Sequence, residues 1–193
     1  GKKYKTKYFT FSDEAISPNA FDRMSKAIVS KGVKIRASCR LKFESDSVET
    51  VELFKNMHQA GLLMLFFGLE SANDRILSII EKGCDQATEK RVLENSSLAG
   101  IWNHLYLFFG FPTEERHEAQ ETINFTVQHS ELGDGTIHSV GQSVFSLEKD
   151  SAIYHNPKKF QIDRILRDPD RDMAIVFDFE IDKGMSKNEV LDV

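Results

Sequence analysis

The chain has 193 residues, 40% hydrophobic and 28% charged, and a formal net charge of -5. This composition is typical of a soluble globular protein with a substantial core, and it excludes collagen-like and disordered chains. Because charges of both signs are interspersed, the chain lacks a basic stripe that would neutralise phosphates, so we expect no nucleic-acid partner.

Strand-like and helix-like stretches alternate from residue 4 to residue 146. Apolar residues recur at helical spacing after capping residues such as Ser17, and glycines such as Gly32 end the helices. The strand at 62–69 is apolar throughout, which indicates a strand covered on both faces, as in parallel sheets. Strands are predicted at about residues 4–11, 33–41, 62–69, 101–109 and 136–146, and helices at about 18–31, 47–60, 73–82, 86–98 and 114–131. The second of these helices is predicted from a capping box of Asp46 and Glu49, and the last from a cap at Thr113.

The strands start about 30 to 40 residues apart, the interval expected of βα units joined by right-handed crossovers. The fold class is therefore α/β with a parallel sheet. After residue 148 the chain is polar and irregular, and the alternation in MAIVFDFEID predicts a strand at an edge of the sheet. We expect a single domain, in which residues 1–148 form the main body and residues 149–193 an extension.

Ligands of parallel α/β folds bind at the carboxyl ends of the strands. The residues at those predicted ends are Asp13 and Glu14, Arg40, Glu70 and Ser71, Gly110 to Pro112, and Gln142 to Ser146. A ring of carboxylates with one guanidinium suits a zwitterionic or hydroxyl-rich ligand, with a carboxylate at Arg40 and an amine or ribose hydroxyls at Glu70 and Asp13.

Each of these residues also has a purely structural alternative. Glu70 and Ser71 precede a helix, where the helix dipole favours a carboxylate and a serine can act as a cap. Arg40 is within reach of a pair with Glu44. Asp13 and Glu14 fit a solvated loop, and the turn at Gly110, Phe111 and Pro112 stops a strand. The prediction of a ligand site depends on their shared place at the strand ends.

Other chemistries have little support in the sequence. The six histidines include no pair at metal-ligand spacing, and P-loop, GxGxxG and nucleophile-elbow motifs are missing. Cys39 and Cys84 are expected to be reduced thiols without a special task, so no metal ligand is predicted. The longest apolar run is far shorter than the roughly 20 residues that span a bilayer, and no signal peptide is recognisable, which predicts a cytoplasmic protein that does not bind membranes.

Four stretches of the chain, in order, resemble a known family. YFTFSDEAIS, the strand ASC that ends in Arg40, FFGLESANDRILSIIEKG and LFFGFPTEERHEAQETINF are similar to the core of radical S-adenosylmethionine (SAM) enzymes. The likeness covers about residues 4–148 and is strongest to the iron-sulfur oxidoreductase type that carries a cobalamin-binding domain ahead of the radical domain. It implies a partial (β/α) barrel, similar to a TIM barrel, with mainly parallel strands and SAM across their carboxyl ends.

The resemblance also implies roles for residues of this chain. Glu70, beside Ser71, matches the acidic residue that approaches the ribose hydroxyls or amine of SAM. Asp13 and Glu14 match polar groups near the methionine amine, and Arg40 matches a group that holds the methionine carboxylate. Phe111 and Pro112 match the turn on the adenine side, and the fifth strand would help to enclose the adenine. Catalytic residues for the substrate cannot be assigned.

For the intact protein, the resemblance implies a 4Fe–4S cluster that reductively cleaves SAM to a 5′-deoxyadenosyl radical, which abstracts hydrogen from a small-molecule or unknown substrate. The resemblance also allows cobalamin as a further cofactor, and it implies an electron donor such as flavodoxin or ferredoxin. The CxxxCxxC loop that binds the cluster is absent here, and Cys39 and Cys84 cannot replace it, since a cluster takes three or four close thiolates.

We therefore expect a piece of a longer polypeptide, inactive by itself. Its start inside a strand pattern and its end one turn after a capping box at Ser186 and Glu189 agree with this. A lost first strand would leave a sheet edge open to self-association. The alternative function is a non-catalytic nucleotide-binding or scaffold α/β domain. A lyase or aldolase would need a lysine or a metal set at a strand end, which the sequence does not show.

Overall fold

The computed structural model describes residues 4–12, 16–43, 50–167 and 173–193. Within these ranges helices and strands alternate much as predicted. The strands are β1 (Tyr8–Thr10), β2 (Arg36–Leu41), β3 (Leu62–Glu70), β4 (Trp102–Phe109), β5 (Ser139–Val144), β6 (Leu147–Glu148), β7 (Ile162–Leu166) and β8 (Val176–Ile181). The helices are α1 (Pro18–Ser30), α2 (Val51–Gln59), α3 (Asp74–Ile79), α4 (Gln86–Leu98), α5 (Arg116–His129), α6 (Ala152–His155) and α7 (Lys187–Leu191), and a 3-10 helix covers Pro157–Phe160.

Strands β1 to β5 form one parallel sheet, curled into a half-barrel, in the order of the sequence. Each strand lies beside the next one along the chain, because a helix returns the chain to the same end of the sheet after every strand. The predicted α/β fold class and the partial barrel are thereby confirmed.

Helix starts agree with the sequence in most places. Side chains of Ser17, Asn73 and Asp85 accept hydrogen bonds from the first turns of α1, α3 and α4. The predicted cap at Asp46 lies outside the described residues, and Thr50 caps α2 instead. The capping box of α7 is present as predicted. None of the helices within the described ranges is long and apolar enough to cross a bilayer.

The chain forms two compact units, Gly1–Leu107 with Asn124–Gly141, and Phe108–Ile123 with Gln142–Val193. The expected division of one domain at residue 148 stays a prediction. In the second unit, β6, β8 and β7 form an antiparallel sheet with β8 in the middle. The strand in MAIVFDFEID is thus confirmed, but its predicted place at an edge of the main sheet is wrong, because half-exposed alternation also suits the central strand of a small sheet. Strand β7 was not predicted, since IDRIL carries two charges.

The two faces of the main sheet differ in burial. Residues such as Cys39, Leu65 and Phe67 are buried, and α2 packs on β3. The predicted coverage of β3 on both faces is wrong, because Met64 and Phe66 are only half-buried. We call the less covered side the open face. It carries Ser38, Arg40, Met64, Phe66, Gly68, Trp102, His104, Tyr106, Ser139 and Gly141.

Candidate functional site

Strand β3 ends in a strained backbone at Glu70, whose φ angle is 66°. A residue with a Cβ in the left-handed region loses roughly 1–2 kcal/mol relative to the usual conformations. The strain follows a bulge, since Gly68 pairs with Tyr106 and Glu70 with Leu107, which leaves Leu69 as an extra, buried residue. Bulges and strained residues of this kind are concentrated at functional sites, where they re-aim a side chain.

The carboxylate of Glu70 forms an ion pair with Lys82. Its Oε1 lies 3.3 Å from Lys82 Nζ, and the two side chains are 30% and 18% exposed. A Cβ at Gly68 would collide with Glu70 Oε1 and would lie 3.3 Å from Lys82 Nζ. The ion pair therefore folds over Gly68, where the missing side chain makes room for it, on the open face at the carboxyl end of β3.

Neither Gly68 nor Lys82 was identified from the sequence. Lys82 follows Glu70 by twelve residues, and only the turn after α3 brings it back to the strand end. In the sequence, the Lys82-Gly83 pair indicates the end of a helix and belongs to the stretch FFGLESANDRILSIIEKG that carries the family resemblance, but neither observation places Lys82 beside Glu70.

The alternative role of Glu70 and Ser71, at the start of a helix, is wrong, because α3 begins at Asp74 and is capped by Asn73. The side-chain oxygen of Asn73 accepts from the N–H groups of Arg75 and Ile76. The buried Ser71 Oγ accepts from Asn73 N at 3.1 Å and so shapes the turn before the cap. Glu70, four residues before the helix, has its carboxylate on Lys82.

Arg40 lies on the open face at the level of Phe66. Its Cα is the register partner of Phe66, which in turn is the partner of His104 on β4. The guanidinium is exposed. Its alternative partner Glu44 lies outside the described residues, as do Asp13 and Glu14, two of the predicted cofactor ligands.

Phe111 and Pro112 belong to the second unit, where both are buried. The Phe111 ring, 1% exposed, packs among Phe108, Phe145 and Phe160. Contact between Phe111 and the adenine of SAM stays a prediction. In the structure, the Phe111 ring contacts other aromatic rings of its own unit.

The turn after Phe111 is held by backbone hydrogen bonds rather than by a helix cap. Thr113 has a φ of 77°, and its N–H donates to Lys183 O. Helix α5 starts at Arg116, so the predicted cap at Thr113 is wrong. Gly110 N donates to Glu114 Oε2 at 2.6 Å. In the same unit a cavity of about 450 Å³ is lined by Gly110, by Val144 at the end of β5 and the two residues after it, and by apolar and polar residues of β8, of the segment before α7 and of α7.

Glu89, on α4, is fully buried near the Glu70–Lys82 ion pair of the first unit. Burial raises its pKa from 4.5 to about 9; Lys82 opposes the shift, whereas Asp74, Glu70 and Asp85 add to it. Its Oε2 has no hydrogen-bond partner among the described residues, and Cys84 Sγ lies 3.9 Å from its Oε1. Among the described residues, Glu70 is the acid within ion-pair distance of Lys82, and Asp74 and Asp85 are further carboxylates in this group.

The described residues do not fit a 4Fe–4S cluster, which is held by three or four thiolates. Cys39 is 1% exposed on β2, and burial raises the pKa of its thiol to about 12, so it stays protonated. Cys84 lies after α3, in contact with Glu89. In the part of the chain that the structure describes, no group of three histidine, cysteine or acidic side chains is placed to hold a metal ion.

Residues 2–126 match the family model of the radical SAM superfamily. An uncharacterized methyltransferase from Pyrococcus horikoshii is 30% identical over 128 residues, which are 64% of this chain and 27% of the relative. The chain therefore spans about a quarter of the length of this curated relative.

Three solved structures with a similar fold are distant in sequence. The cobalamin-dependent SAM radical enzyme OxsB, with aqua-cobalamin bound, has a TM-score of 0.71 at 13% identity, over 95% of this chain and 33% of that one. Coproporphyrinogen III oxidase (HemN) from Escherichia coli has a TM-score of 0.60 at 11% identity, over 96% and 38%. The radical SAM methyltransferase TsrM from Kitasatospora setae has 0.59 at 14% identity, over 74% and 28%.

These structural likenesses establish the half-barrel fold, and the family model covers well over half of the chain. Members of the matched family use SAM and a 4Fe–4S cluster. The chain belongs to the radical SAM superfamily.

Proposed function

We propose that this chain is the SAM-binding part of a radical SAM enzyme and that Glu70 and Lys82 hold the cofactor. The observation that carries the proposal is the strained Glu70 at the carboxyl end of β3, with its carboxylate and the Lys82 ammonium folded over Gly68. Strand ends of parallel sheets are where α/β proteins bind nucleotides. In the proposed enzyme, bound SAM supplies a 5′-deoxyadenosyl radical, by reductive cleavage, for hydrogen abstraction.

The donor set at this strand end fits the polar parts of SAM. A half-buried carboxylate accepts hydrogen bonds from vicinal ribose hydroxyls, and an adjacent ammonium binds a carboxylate. Glu70 is the acid within ion-pair distance of Lys82 among the described residues, so further N–H donors of the ammonium can serve a ligand. Ser71, Asp13, Glu14, Phe111 and Pro112 remain proposed cofactor contacts, whereas Lys82 takes the place at the methionine carboxylate that the resemblance implied for Arg40.

For the whole protein we propose either oxidoreductase or transferase chemistry on a substrate not yet known. The curated relative is named a methyltransferase, and OxsB and TsrM are named as enzymes with cobalamin, which supports cobalamin as a further cofactor. The cluster would be bound by residues other than those described, and an electron donor such as flavodoxin or ferredoxin would reduce it.

Binding of SAM to the 193-residue chain, measured by isothermal titration calorimetry, tests the proposal. We expect Glu70→Gln and Lys82→Met each to lower the affinity about ten-fold, because a charge-assisted hydrogen bond is lost. The matched controls are Glu94→Gln and Lys90→Met, which break a more exposed ion pair of 3.2 Å on α4. SAM affinity that is unchanged in Glu70→Gln, or no binding to the unaltered chain, would contradict the proposal.

Adenosine and methionine used as separate probes would show which part of SAM each residue binds. We expect Glu70→Gln to weaken adenosine binding and Lys82→Met to weaken methionine binding. Formation of 5′-deoxyadenosine by the whole protein, dependent on its cluster, would distinguish a radical SAM enzyme from a non-catalytic nucleotide-binding domain with the same site.

Self-association of the chain also remains a proposal. Strand β1 is at the end of the sheet order and pairs with β2. Edge strands present unpaired N–H and C=O groups that other chains can bind. Sedimentation velocity over a range of concentrations would detect dimers, and a chain that stays monomeric would contradict the proposal.

A further inference from the structure

A row of four side chains crosses the open face of the first unit. Arg40, Phe66 and His104 are register partners on β2, β3 and β4, and His104 Nδ1 lies 2.7 Å from Ser139 Oγ on β5. Register partners on parallel strands point to the same face and lie about 4.8 Å apart. A guanidinium, a phenyl ring, an imidazole and a hydroxyl therefore stand side by side at one level of the sheet, and we call them the Arg40 row.

Three rings on this face contact one another. The centroids of His104 and Tyr106 are 4.6 Å apart and those of Phe66 and His104 are 5.2 Å apart, both edge to face. Phe66 and Tyr106 are nearly parallel at 6.1 Å. Tyr106 is nevertheless 41% exposed, and Phe66 and His104 are half-buried. A ring cluster that remains accessible on a sheet face offers edges and faces to a further flat ring.

Two glycines leave space around Tyr106. A Cβ at Gly141 would lie 3.2 Å from Tyr106 Cδ1 and 3.4 Å from His104 Nε2, so any side chain there would cover both rings. Gly68, the register partner of Tyr106, makes room for the Glu70–Lys82 pair. The Arg40 row therefore lies one step along β3 from the proposed cofactor site, on the same face.

The charge of the row comes from Arg40. Burial lowers the pKa of His104, so its imidazole is neutral at pH 7. The guanidinium of Arg40 is exposed and forms no ion pair with any residue in the described ranges. A cation beside a patch of rings favours a ligand that is both aromatic and anionic.

We propose that this part of the open face binds the substrate of the enzyme, and that the substrate is an aromatic or heteroaromatic carboxylate. Its ring packs against Phe66, His104 and Tyr106, and its carboxylate pairs with Arg40. The inference rests on the proposed function, because it places the substrate beside the proposed SAM site.

Three probes of similar size test the ligand class on the 193-residue chain. Indole-3-acetate has both the ring and the carboxylate, cyclohexylacetate has the carboxylate alone, and indole has the ring alone. Binding is followed by NMR titration of the His104 ring protons. We expect indole-3-acetate to bind at least about five-fold more tightly than either of the others, since each part contributes separately.

Variants with matched controls test the residues. We expect Arg40→Met to weaken indole-3-acetate binding about five-fold, Arg40→Lys less, and Tyr106→Leu about three- to ten-fold. The controls are Arg36→Met, four positions or about 13 Å along β2 from Arg40, and Tyr8→Leu at the register partner of Arg36 on β1; both should change nothing. Circular dichroism of each variant confirms that it is folded.

Several outcomes would overturn the inference. One is equal affinity for cyclohexylacetate and indole-3-acetate, and another is an equal effect of the control variants. Displacement of indole-3-acetate by SAM would assign the rings to the cofactor instead of a substrate. If SAM binds and responds to Glu70→Gln while indole-3-acetate does not bind, the inference fails and the proposed function stands. If SAM does not bind, the proposed function itself fails.

Discussion

Glu70 Oε1 and Lys82 Nζ lie 3.3 Å apart, and the space that they fill is the space that a side chain at Gly68 would need. The turn after α3 brings the two residues together across twelve positions, and the absence of a Cβ at Gly68 leaves room for their ion pair. The strained φ of Glu70 and the bulge before it belong to the same arrangement, because both turn the carboxylate back toward Gly68.

Gly68→Ala should therefore displace the ion pair without altering either charged residue. We expect SAM binding to weaken about ten-fold and the free energy of unfolding to fall by about 1–3 kcal/mol, as for other overpacked sites. Urea unfolding and calorimetry measure the two effects. In the Glu70→Ala background the same substitution should cost less stability, because the colliding carboxylate is gone; an equal cost in both backgrounds would contradict the contact.

Glu89 should make the stability of the chain depend on pH. Its pKa is 4.5 ordinarily and about 9 in the fold, where burial is the main cause. Between these values the folded state keeps a proton that the unfolded state releases, so the free energy of unfolding falls as the pH rises from about 4.5 to 9. The slope from this group is about 1.4 kcal/mol per pH unit.

Glu89→Gln should remove that slope, because a neutral amide needs no proton to remain buried. Urea unfolding of the unaltered chain and of the variant at pH 6, 7, 8 and 9 measures it. Glu94→Gln, on an exposed turn of the same helix, is the control and should leave the slope in place. Parallel pH profiles for the unaltered chain and Glu89→Gln would show that Glu89 is ionised in the fold.

Asn103 ties β4 to two other segments of the first unit. Its Nδ2 donates to Leu93 O at 3.0 Å and to Thr136 O at 2.9 Å, and its Oδ1 accepts from Ser96 Oγ at 2.6 Å. All of these atoms belong to buried residues. Asn103→Leu should lower the free energy of unfolding by about 2–4 kcal/mol, because the buried Thr136 O loses this donor and the Ser96 hydroxyl loses its shorter acceptor.

Ser96→Ala added to Asn103→Leu distinguishes the network from a simple change of shape. Without Asn103 the Ser96 hydroxyl keeps only its contact with Leu93 O at 3.0 Å, so the double variant should lose less than the sum of the single losses. Urea unfolding of all four chains gives the comparison, and additive losses would show that Ser96 and Asn103 act independently.

The two cysteines should differ sharply in reactivity. Cys39 is buried with a pKa of about 12, whereas Cys84 is partly exposed. A maleimide at pH 7.5 should modify Cys84 first and Cys39 only after unfolding, which mass spectrometry of the digested chain would show. Rapid labelling of Cys39 in the folded chain would contradict its burial.

The same cysteines should not support an iron-sulfur cluster. After anaerobic incubation of the chain with iron and sulfide, we expect no 4Fe–4S absorbance, because three or four close thiolates are needed. Cys39→Ser/Cys84→Ser is the control for iron that is bound nonspecifically. A stoichiometric cluster that is lost in this double variant would contradict the expectation.

The order of elements in the main sheet was readable from the sequence because each βα unit carries its own local signals. Helix α4 was predicted with its observed bounds, since Asp85 caps it and Ala99-Gly100 ends it. Strand β7 was missed, because Asp163 and Arg164 resemble a loop until β8 pairs beside them. The start of α5 was misplaced, since nothing local shows that Thr113 adopts a positive φ.

By itself, the sequence determined the α/β class, the parallel sheet and the place of Glu70 at a strand end. These depend on periodicity and capping, which act over a few residues. Only the tertiary structure decided that Lys82 and Gly68 share that strand end, that Glu89 is buried beside them, and that Arg40 stands in a row with Phe66 and His104. Such groupings depend on strand register and on the return of a turn, and no local pattern encodes the distance between residues on different strands.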